Sequence, residues 1–407
     1  MSYIIKSLLV SMEKYLSTIL ISASFFIFAA KTDPTTLGKL NSIESLAIIF
    51  TFLSLLSLDS VVMDKAMKEP DKADQYFISI YCVKLIVSSV GYIIFLLTSV
   101  IIFNFSPIPS FIIGSLIILK STILLQYRLI TNDEIKKYMA IGLLSSITAF
   151  SLKLLVVNID KPSYYPWFFV FDFFILFIIC FATIYHQIKK TNIDLKLAFD
   201  VIYEGRLFIL SSFTILAFGK VDQLMISLKL NFDDVANYSL AMKVIGAFVL
   251  IANAFNLILA RDVSKAKTSS NDKYISKIRK MMLFTFALGL FMSIINLLLT
   301  PLMLQFFYGG KYAKAIELSI YATPLILLTF LSSSVGKILI TEGLGGFALF
   351  RNIASLAIMI VLTLVLLPYF GLDGVLIASI ISWSFSSLIF VIGYHKTRHI
   401  YLGKYKS

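Results

Sequence analysis

The residues in this chain that could do chemistry are charges set within apolar runs. Lys84, Lys120, Lys153, Lys220, Lys243, Lys337, Arg206 and Arg351 all sit there, as do the acids Asp59, Asp172 and Asp222, with Glu44 and Arg128 in similar settings. One such charge at the centre of a lipid-embedded helix costs roughly 2.5–3.5 kcal/mol on insertion scales, so it needs a partner or a wet cavity. Basic residues outnumber acidic ones in these runs. A network that only staples helices together would tend to balance its charges. An excess of positive charge, focused by low-dielectric walls, suits an anion. Phosphate is the natural candidate, held by Lys as a point charge and by Arg bidentately. The chemistry on offer is electrostatic capture, with Asp59, Asp172 and Asp222 as candidate carriers of a coupling ion.

Other chemistries are not encoded. No glycine-rich phosphate loop follows a strand, and no Ser/His/Asp set or metal-ligand spacing occurs. The glycines of "FFYGGKYAKA" and "TEGLGGFALF" fall where helix ends use them. His186, His395 and His399 are scattered, and Cys82 and Cys180 lie in apolar runs as packing residues. With nothing to bind and hydrolyse ATP, the drive for any transport comes from an ion gradient or from substrate supply.

The elements that must position these charges follow from composition. The chain has 407 residues, 58% hydrophobic and 14% charged, with a mean hydropathy of +0.90. Soluble domains are nearer half apolar and a quarter charged, so the chain is an all-α integral membrane protein. A crossing takes about 20 mostly apolar residues. Such runs predict about twelve transmembrane helices, at 12–30, 40–62, 77–104, 109–130, 139–158, 166–187, 206–228, 235–259, 280–305, 315–341, 347–369 and 373–394. The first run ends "FAAK" like a secretory signal, but its length and the spans that follow keep it in the membrane.

"DSVVMDKAMKEPDKADQY" and "ARDVSKAKTSSNDKY" share Lys-Ala (Lys65-Ala66, Lys265-Ala266) and a close on Asp74/Tyr76 and Asp272/Tyr274. Their offset suggests parallel repeats, residues 1–190 and 191–407.

Lys and Arg crowd alternate connections. One set holds Lys6, Lys65, Lys68, Lys72, Lys136, Lys137, Lys189, Lys190, Lys196, Arg261, Lys265, Lys267, Lys273, Lys277, Arg279, Lys280, Lys396, Arg398, Lys404 and Lys406. The other holds far fewer, so both termini are expected in the cytoplasm. The net charge of +13 is thus a topology signal, not a mark of nucleic-acid binding.

Several charges admit plainer readings. Lys120, Arg128, Arg206 and Arg351 lie near enough to helix ends to snorkel, and Asp59 sits where it would close its helix. Arg206 and Lys220, fourteen positions apart, fall within about 40° on a continuous helix and share a stripe with Ser211, Ser212 and Thr214. Asp222 faces elsewhere, either in a buried ion pair, with Lys243 as a candidate cation, or as a coupling site.

The stretch Glu204 to Phe248, "EGRLFILSSFTILAFGKVDQLMISLKLNFDDVANYSLAMKVIGAF", resembles the polysaccharide flippases of the multidrug/oligosaccharidyl-lipid/polysaccharide (MOP) superfamily, in particular the Wzx-type O-antigen flippases. Gly205, Arg206, Lys220, Asp222, Gln223, Tyr238, Ser239, Ala241 and Lys243 occupy its motif positions. Gly309, Tyr312 and Ala313, then Pro368, Gly371, Gly374 and Ala378, resemble later motifs, while Asn352 only approximates an expected Asn. The resemblance implies two six-helix bundles around a central cationic cavity, and an undecaprenyl-diphosphate-linked oligosaccharide as passenger, moved from the cytoplasmic to the periplasmic leaflet. It implies a transporter of the bacterial inner membrane that takes no cofactor, couples to protons or sodium, and works beside membrane lipid, the polysaccharide polymerase and the chain-length machinery. Two alternatives stay open. An O-antigen polymerase carries a large periplasmic loop with arginines, whereas the longest hydrophilic connections here, 188–205 and 261–279, are cytoplasmic by the charge rule. A cation or drug exporter of the same superfamily would favour an acidic excess.

Overall fold

Every regular element among the described residues is helical, as a backbone surrounded by lipid requires. The computed structural model describes residues 3–188, 191–267, 270–394 and 396–402. Lys189, Lys190, His395, Lys404 and Lys406 lie outside the described residues, as do the side chains of Lys6, His186 and Arg261. Among the described residues, eleven helical stretches are long and apolar enough to cross a membrane. The chain forms two compact units, Met1–Lys220 and Val221–Ser407.

Unit 1 runs α1 (Tyr3–Lys31), α2 (Pro34–Phe50), α3 (Asp59–Lys68), α4 (Ala73–Leu97), α5 (Pro107–Gly114), α6 (Leu116–Leu119), α7 (Ile123–Thr131), α8 (Ile135–Ile159), α9 (Tyr165–Ile188) and α10 (Leu195–Phe218). Local sequence sets several starts. Asp33 accepts from the Thr36 amide at 2.8 Å with Pro34 at the first helical position, and Asp194 accepts from the Leu197 amide at 3.1 Å. The core gathers Phe77, Tyr81, Leu124, Tyr138, Cys180 and Val201 from α4, α7, α8, α9 and α10. Through Ala198 and Val201, α10 therefore belongs to unit 1's core. At the far end of α1, Phe28 stacks on Phe168 of α9 at 4.3 Å.

Several expected spans are interrupted: 109–130 divides into α5, α6 and α7, 315–341 breaks at Ala322, and two more breaks bear on the charges. The run predicted at 40–62 splits into α2 and α3 around tight turns at Thr51–Ser54 and Leu56–Leu58, with Leu55 left-handed at φ 52°. A left-handed leucine costs about 1–2 kcal/mol. Hydroxyls take up carbonyls beside the break: Thr51 donates to Ile48 O at 2.6 Å and Ser54 to Thr51 O at 2.5 Å. Asp59 consequently opens α3 instead of closing the helix before it. The run predicted at 206–228 also divides, because α10 ends at Phe218 and a turn at Gly219 and Lys220 precedes the next helix at Val221.

Unit 2 continues with α11 (Val221–Lys229), α12 (Phe232–Lys267), α13 (Asn271–Tyr308), α14 (Ala313–Tyr321), α15 (Thr323–Thr341), α16 (Gly345–Ser384), α17 (Phe390–Gly393) and α18 (His399–Leu402). Polar side chains tie its long helices together, as small hydrogen-bonding residues do where lipid removes the hydrophobic drive for association. Ser334 of α15 donates to Asn256 of α12 at 2.8 Å and lies 2.9 Å from the Thr285 hydroxyl of α13, all three buried. Asn296 of α13 donates to Ser319 O and Thr323 Oγ1, each at 2.9 Å.

The stretch Gly345–Gly393 satisfies the two spans predicted at 347–369 and 373–394 by folding back on itself. Gly371, with φ 56° and ψ −133°, breaks α16 just after Pro368. Contacts run symmetrically about that point: Phe347 stacks on Phe390 at 4.8 Å and on Tyr394 at 4.6 Å, and Ser379 reaches Met359 Sδ at 3.7 Å. Nearest the bend the two arms almost touch, since a Cβ at Gly374 would lie 2.6 Å from Leu366 O. Overpacking a tight contact typically costs about 1–3 kcal/mol. Gly374→Val is therefore expected to lower the thermal midpoint of the purified protein in detergent, read by size-exclusion after heating, while Gly393→Val, where a Cβ would meet open space, leaves it nearly unchanged.

Candidate substrate and ion sites

Unit 1 neutralises most of its buried cations internally. Lys84 on α4 is 0% exposed and meets Asp59 of α3, 4% exposed, at 2.5 Å. Asp59 gains further from the free amides of the helix start at which it sits. On α8, Lys153 pairs with Asp172 of α9 and lies over the Phe168 ring at 4.9 Å. Arg128 on α7 grips Asp74 of α4, with Nη2 at 2.5 Å and Nε at 2.8 Å. Lys220, in the turn after α10, stands 3.7 Å from Glu44 on α2.

The sequence treats Lys84 and Lys153 as passenger-facing cations and Asp59 and Asp172 as separate coupling acids. The structure joins them into pairs, so neither list is independent of the other. Lys120, half-buried, lies over the Phe173 ring at 5.1 Å. Arg206 is exposed and folds onto its own helix, donating to Tyr203 O at 3.0 Å with the guanidinium 4.1 Å from that residue's ring. The shared stripe expected for Arg206 and Lys220 is corrected: the turn at Gly219 and Lys220 interrupts the helix on which the wheel argument depends.

In unit 2, Asp222 is buried at the start of α11. It accepts from Tyr238 Oη at 2.6 Å and from the Gln223 amide at 2.7 Å, and Tyr238 Oη lies 3.3 Å from Ser379 of the hairpin. Lys243 is half-buried one and a half turns beyond Tyr238 on α12. Lys337 is half-buried on α15 and has no carboxylate partner among the described residues.

Arg351 differs from every cation of unit 1. It is 6% exposed on α16, yet its hydrogen-bond partner is the neutral Asn352 Oδ1, 3.2 Å from Nη2 and 3.4 Å from Nε. Nη1 is buried without a hydrogen-bond partner among the described residues. The guanidinium lies against Gly336 of α15, and no carboxylate reaches it among the described residues.

Beyond it, the last helix docks through a cluster that the sequence does not advertise. Glu342 meets His399 at 2.6 Å and accepts from Tyr274 Oη at 3.0 Å, and Tyr401 donates to Ser387 O at 2.7 Å. Burial pushes the Tyr401 phenol above its ordinary value.

Sequence reasoning also missed Glu13, buried on α1. Its neighbour Lys14 and its place near the N-terminus make "SMEKYL" read as a solvated helix end. Helical spacing holds the one available signal, since Glu13 shares a face with Ser17 while Lys14 points away from it.

No family model matches this sequence, and no curated protein does. Solved structures do. The chain superposes with a TM-score of 0.71 and 13% identity on an inward-facing multidrug resistance MATE family transporter of the MOP superfamily, covering 95% of this chain and 96% of that one. It superposes at 0.72 and 14% identity on the lipid II flippase MurJ in an inward closed conformation, covering 94% and 86%. A MOP superfamily transporter from Pyrococcus furiosus, described as having a binding pocket of reversed polarity, matches at 0.64 and 12% identity over 97% and 96%. The fold is that of the MOP superfamily transporters, and the chain is a multi-pass membrane protein.

The pairing in unit 1 has a measurable consequence. Removing one partner of a buried ion pair costs about 3–5 kcal/mol because it strands the other charge, whereas replacing both with apolar residues is often neutral. Lys84→Met is expected to lower the thermal midpoint sharply, and Lys84→Met with Asp59→Leu to recover most of the loss. A double variant as unstable as the single one would show that the pair is not what holds α3 to α4.

Proposed function

We propose that this chain is a flippase, not an enzyme, and that its passenger is an oligosaccharide carried on a polyprenyl diphosphate. The observation that carries the reading is Arg351, a buried guanidinium with no carboxylate in reach among the described residues and with Nη1 unpartnered. A buried charge without compensation is costly and is kept where something complementary arrives. Diphosphate supplies that complement, accepting two parallel hydrogen bonds from one guanidinium. Within unit 2, Lys337 and Lys243 add the positive field that draws it in, and within unit 1 Lys120, Arg206 and Lys220 offer further cations to an anion. The likeness in fold to a lipid II flippase supports a lipid-linked passenger.

In this reading the sugar head crosses inside the protein while the lipid tail stays in the bilayer. The protein thereby supplies the polar surroundings that hydrocarbon withholds. The carrier is undecaprenyl diphosphate and the cargo an O-antigen or related repeat unit. The transporter sits in the bacterial inner membrane with both termini in the cytoplasm, next to the polymerase and chain-length machinery. Lys84 and Lys153 act through their pairs with Asp59 and Asp172, which separate if the diphosphate competes for the ammonium. Asp222, held by hydroxyl and amide donors, is the unit 2 candidate for ion coupling.

A second reading, export of cationic drugs, is favoured by the likeness in fold to MATE transporters. The two differ in the sign of charge required. Proteoliposomes carrying a polyprenyl-diphosphate oligosaccharide, probed with a membrane-impermeant lectin, separate them. A charge-assisted hydrogen bond is worth about 1.5–3 kcal/mol, so Arg351→Gln should slow appearance of the sugar outside by roughly 10- to 150-fold, with Arg351→Lys in between. Lys243→Ala should slow it too, while protein levels hold. Ethidium efflux by the wild type with no lectin-detected translocation would overturn the flippase reading in favour of the exporter.

A further inference from the structure

Unit 1 buries one carboxyl group that neither the ion pairs nor the passenger cations employ. Glu13, 5% exposed, lies in the seam between α1 and α8. Ser17, one turn on, donates to Glu13 Oε1 at 3.2 Å, and Ser146 of α8 donates to Ser17 Oγ at 2.7 Å. The side chains of Tyr138 on α8 and Gln126 on α7 stand beside the carboxyl group. A Cβ at Gly142 would fall 2.1 Å from Oε1, so the carboxyl group is seated where only glycine leaves room for it.

The charged and titratable groups around it are few. Lys14 is exposed and directs its ammonium to Tyr127 of α7, 3.1 Å from the hydroxyl and 5.0 Å from the ring centre. Lys136 and Lys137 at the start of α8 are exposed, and Lys137 is occupied by Glu134 at 2.9 Å. No cation lies within ion-pair distance of Glu13 among the described residues.

The contrast with its neighbours defines what Glu13 can do. Asp59 and Asp172 face ammonium groups, which can only donate, so their pairs are satisfied in one charge state. Glu13 faces Ser17 and Tyr138, whose hydroxyls donate or accept by rotating, so the same shell fits a carboxylate or a carboxylic acid. An unpaired charge in this seam costs more than the neutral acid does, and the balance reverses once water enters.

We propose that Glu13 is a proton-binding site: it takes up one proton when α1 packs on α8 and releases it when the seam opens, with Ser17 and Ser146 as the hydroxyl path. The step breaks no bond within the chain beyond the exchange of that proton with water. The site rests on its own geometry, and only its service to translocation depends on the flippase reading.

Infrared difference spectra of the purified protein between neutral and alkaline buffer test it without any passenger. Wild type should show a protonated carboxyl stretch, shifted by deuterium exchange, that Glu13→Gln lacks. Ser17→Ala and Tyr138→Phe should keep the band and move its frequency, because each removes a hydroxyl from beside the carboxyl group; these two variants also guard against misfolding of Glu13→Gln. A band of equal intensity in wild type and Glu13→Gln, or one that neither hydroxyl variant moves, overturns the proposal. Failure of oligosaccharide translocation in proteoliposomes would strike the flippase reading and leave the band untouched.

Discussion

Every polar group that this chain carries into hydrocarbon has to be satisfied from within, and that constraint organises both units. It forces an all-helical backbone. It also decides what happens where a helix breaks: the turns at Thr51–Ser54 and Leu56–Leu58 survive beside the hydroxyls of Thr51 and Ser54, which bond carbonyls along the interrupted segment. The same rule draws Asn256, Thr285 and Ser334 into one cluster and binds Asn296 to the α14–α15 region. Polar contact, not hydrophobic drive, gives these helices their register.

Charges obey the rule more strictly because the cost of failing it is larger. In unit 1, α3 is tied to α4 by Asp59–Lys84, α4 to α7 by Asp74–Arg128, and α8 to α9 by Lys153–Asp172. Each pair joins different helices, so each also fixes how those helices meet. Such pairs add less net stability than their short distances suggest, since desolvation offsets most of the attraction. Their larger effect is on uniqueness, because a shifted register would leave two charges buried and unmatched.

The helical class and most of the long apolar stretches were legible in the sequence because apolar run length is a one-dimensional property. Even the hairpin at Gly371 was readable, with Pro368 and Gly371 marking where the last run turns. The breaks at Leu55 and at Gly219–Lys220 were not, since no proline marks them; around Leu55 the run stays apolar, and Lys220 and Asp222 read as charges inside one continuous helix. Which charges meet was legible only in part. Lys84 and Asp59 are 25 positions apart on separate helices, and counting basic against acidic residues cannot report that one neutralises the other. Glu13 escaped for a related reason: an acid beside a lysine at a helix end reads as solvated, and only the approach of α8 at Gly142 buries it.

What remains after the pairs are matched is more informative than the raw excess of positive charge. Unit 1 keeps a buried acid with neutral partners, Glu13, and unit 2 keeps a buried base with a neutral partner, Arg351. A matched pair holds its charge state whatever arrives, whereas an unmatched group changes its energy with every change of surroundings. A base that is always charged can lower that energy only by gaining an anion. A carboxyl group has a second route, because it can gain or lose a proton. The two residues therefore divide the tasks that transport requires, one suited to hold a passenger and the other to carry the ion that moves with it.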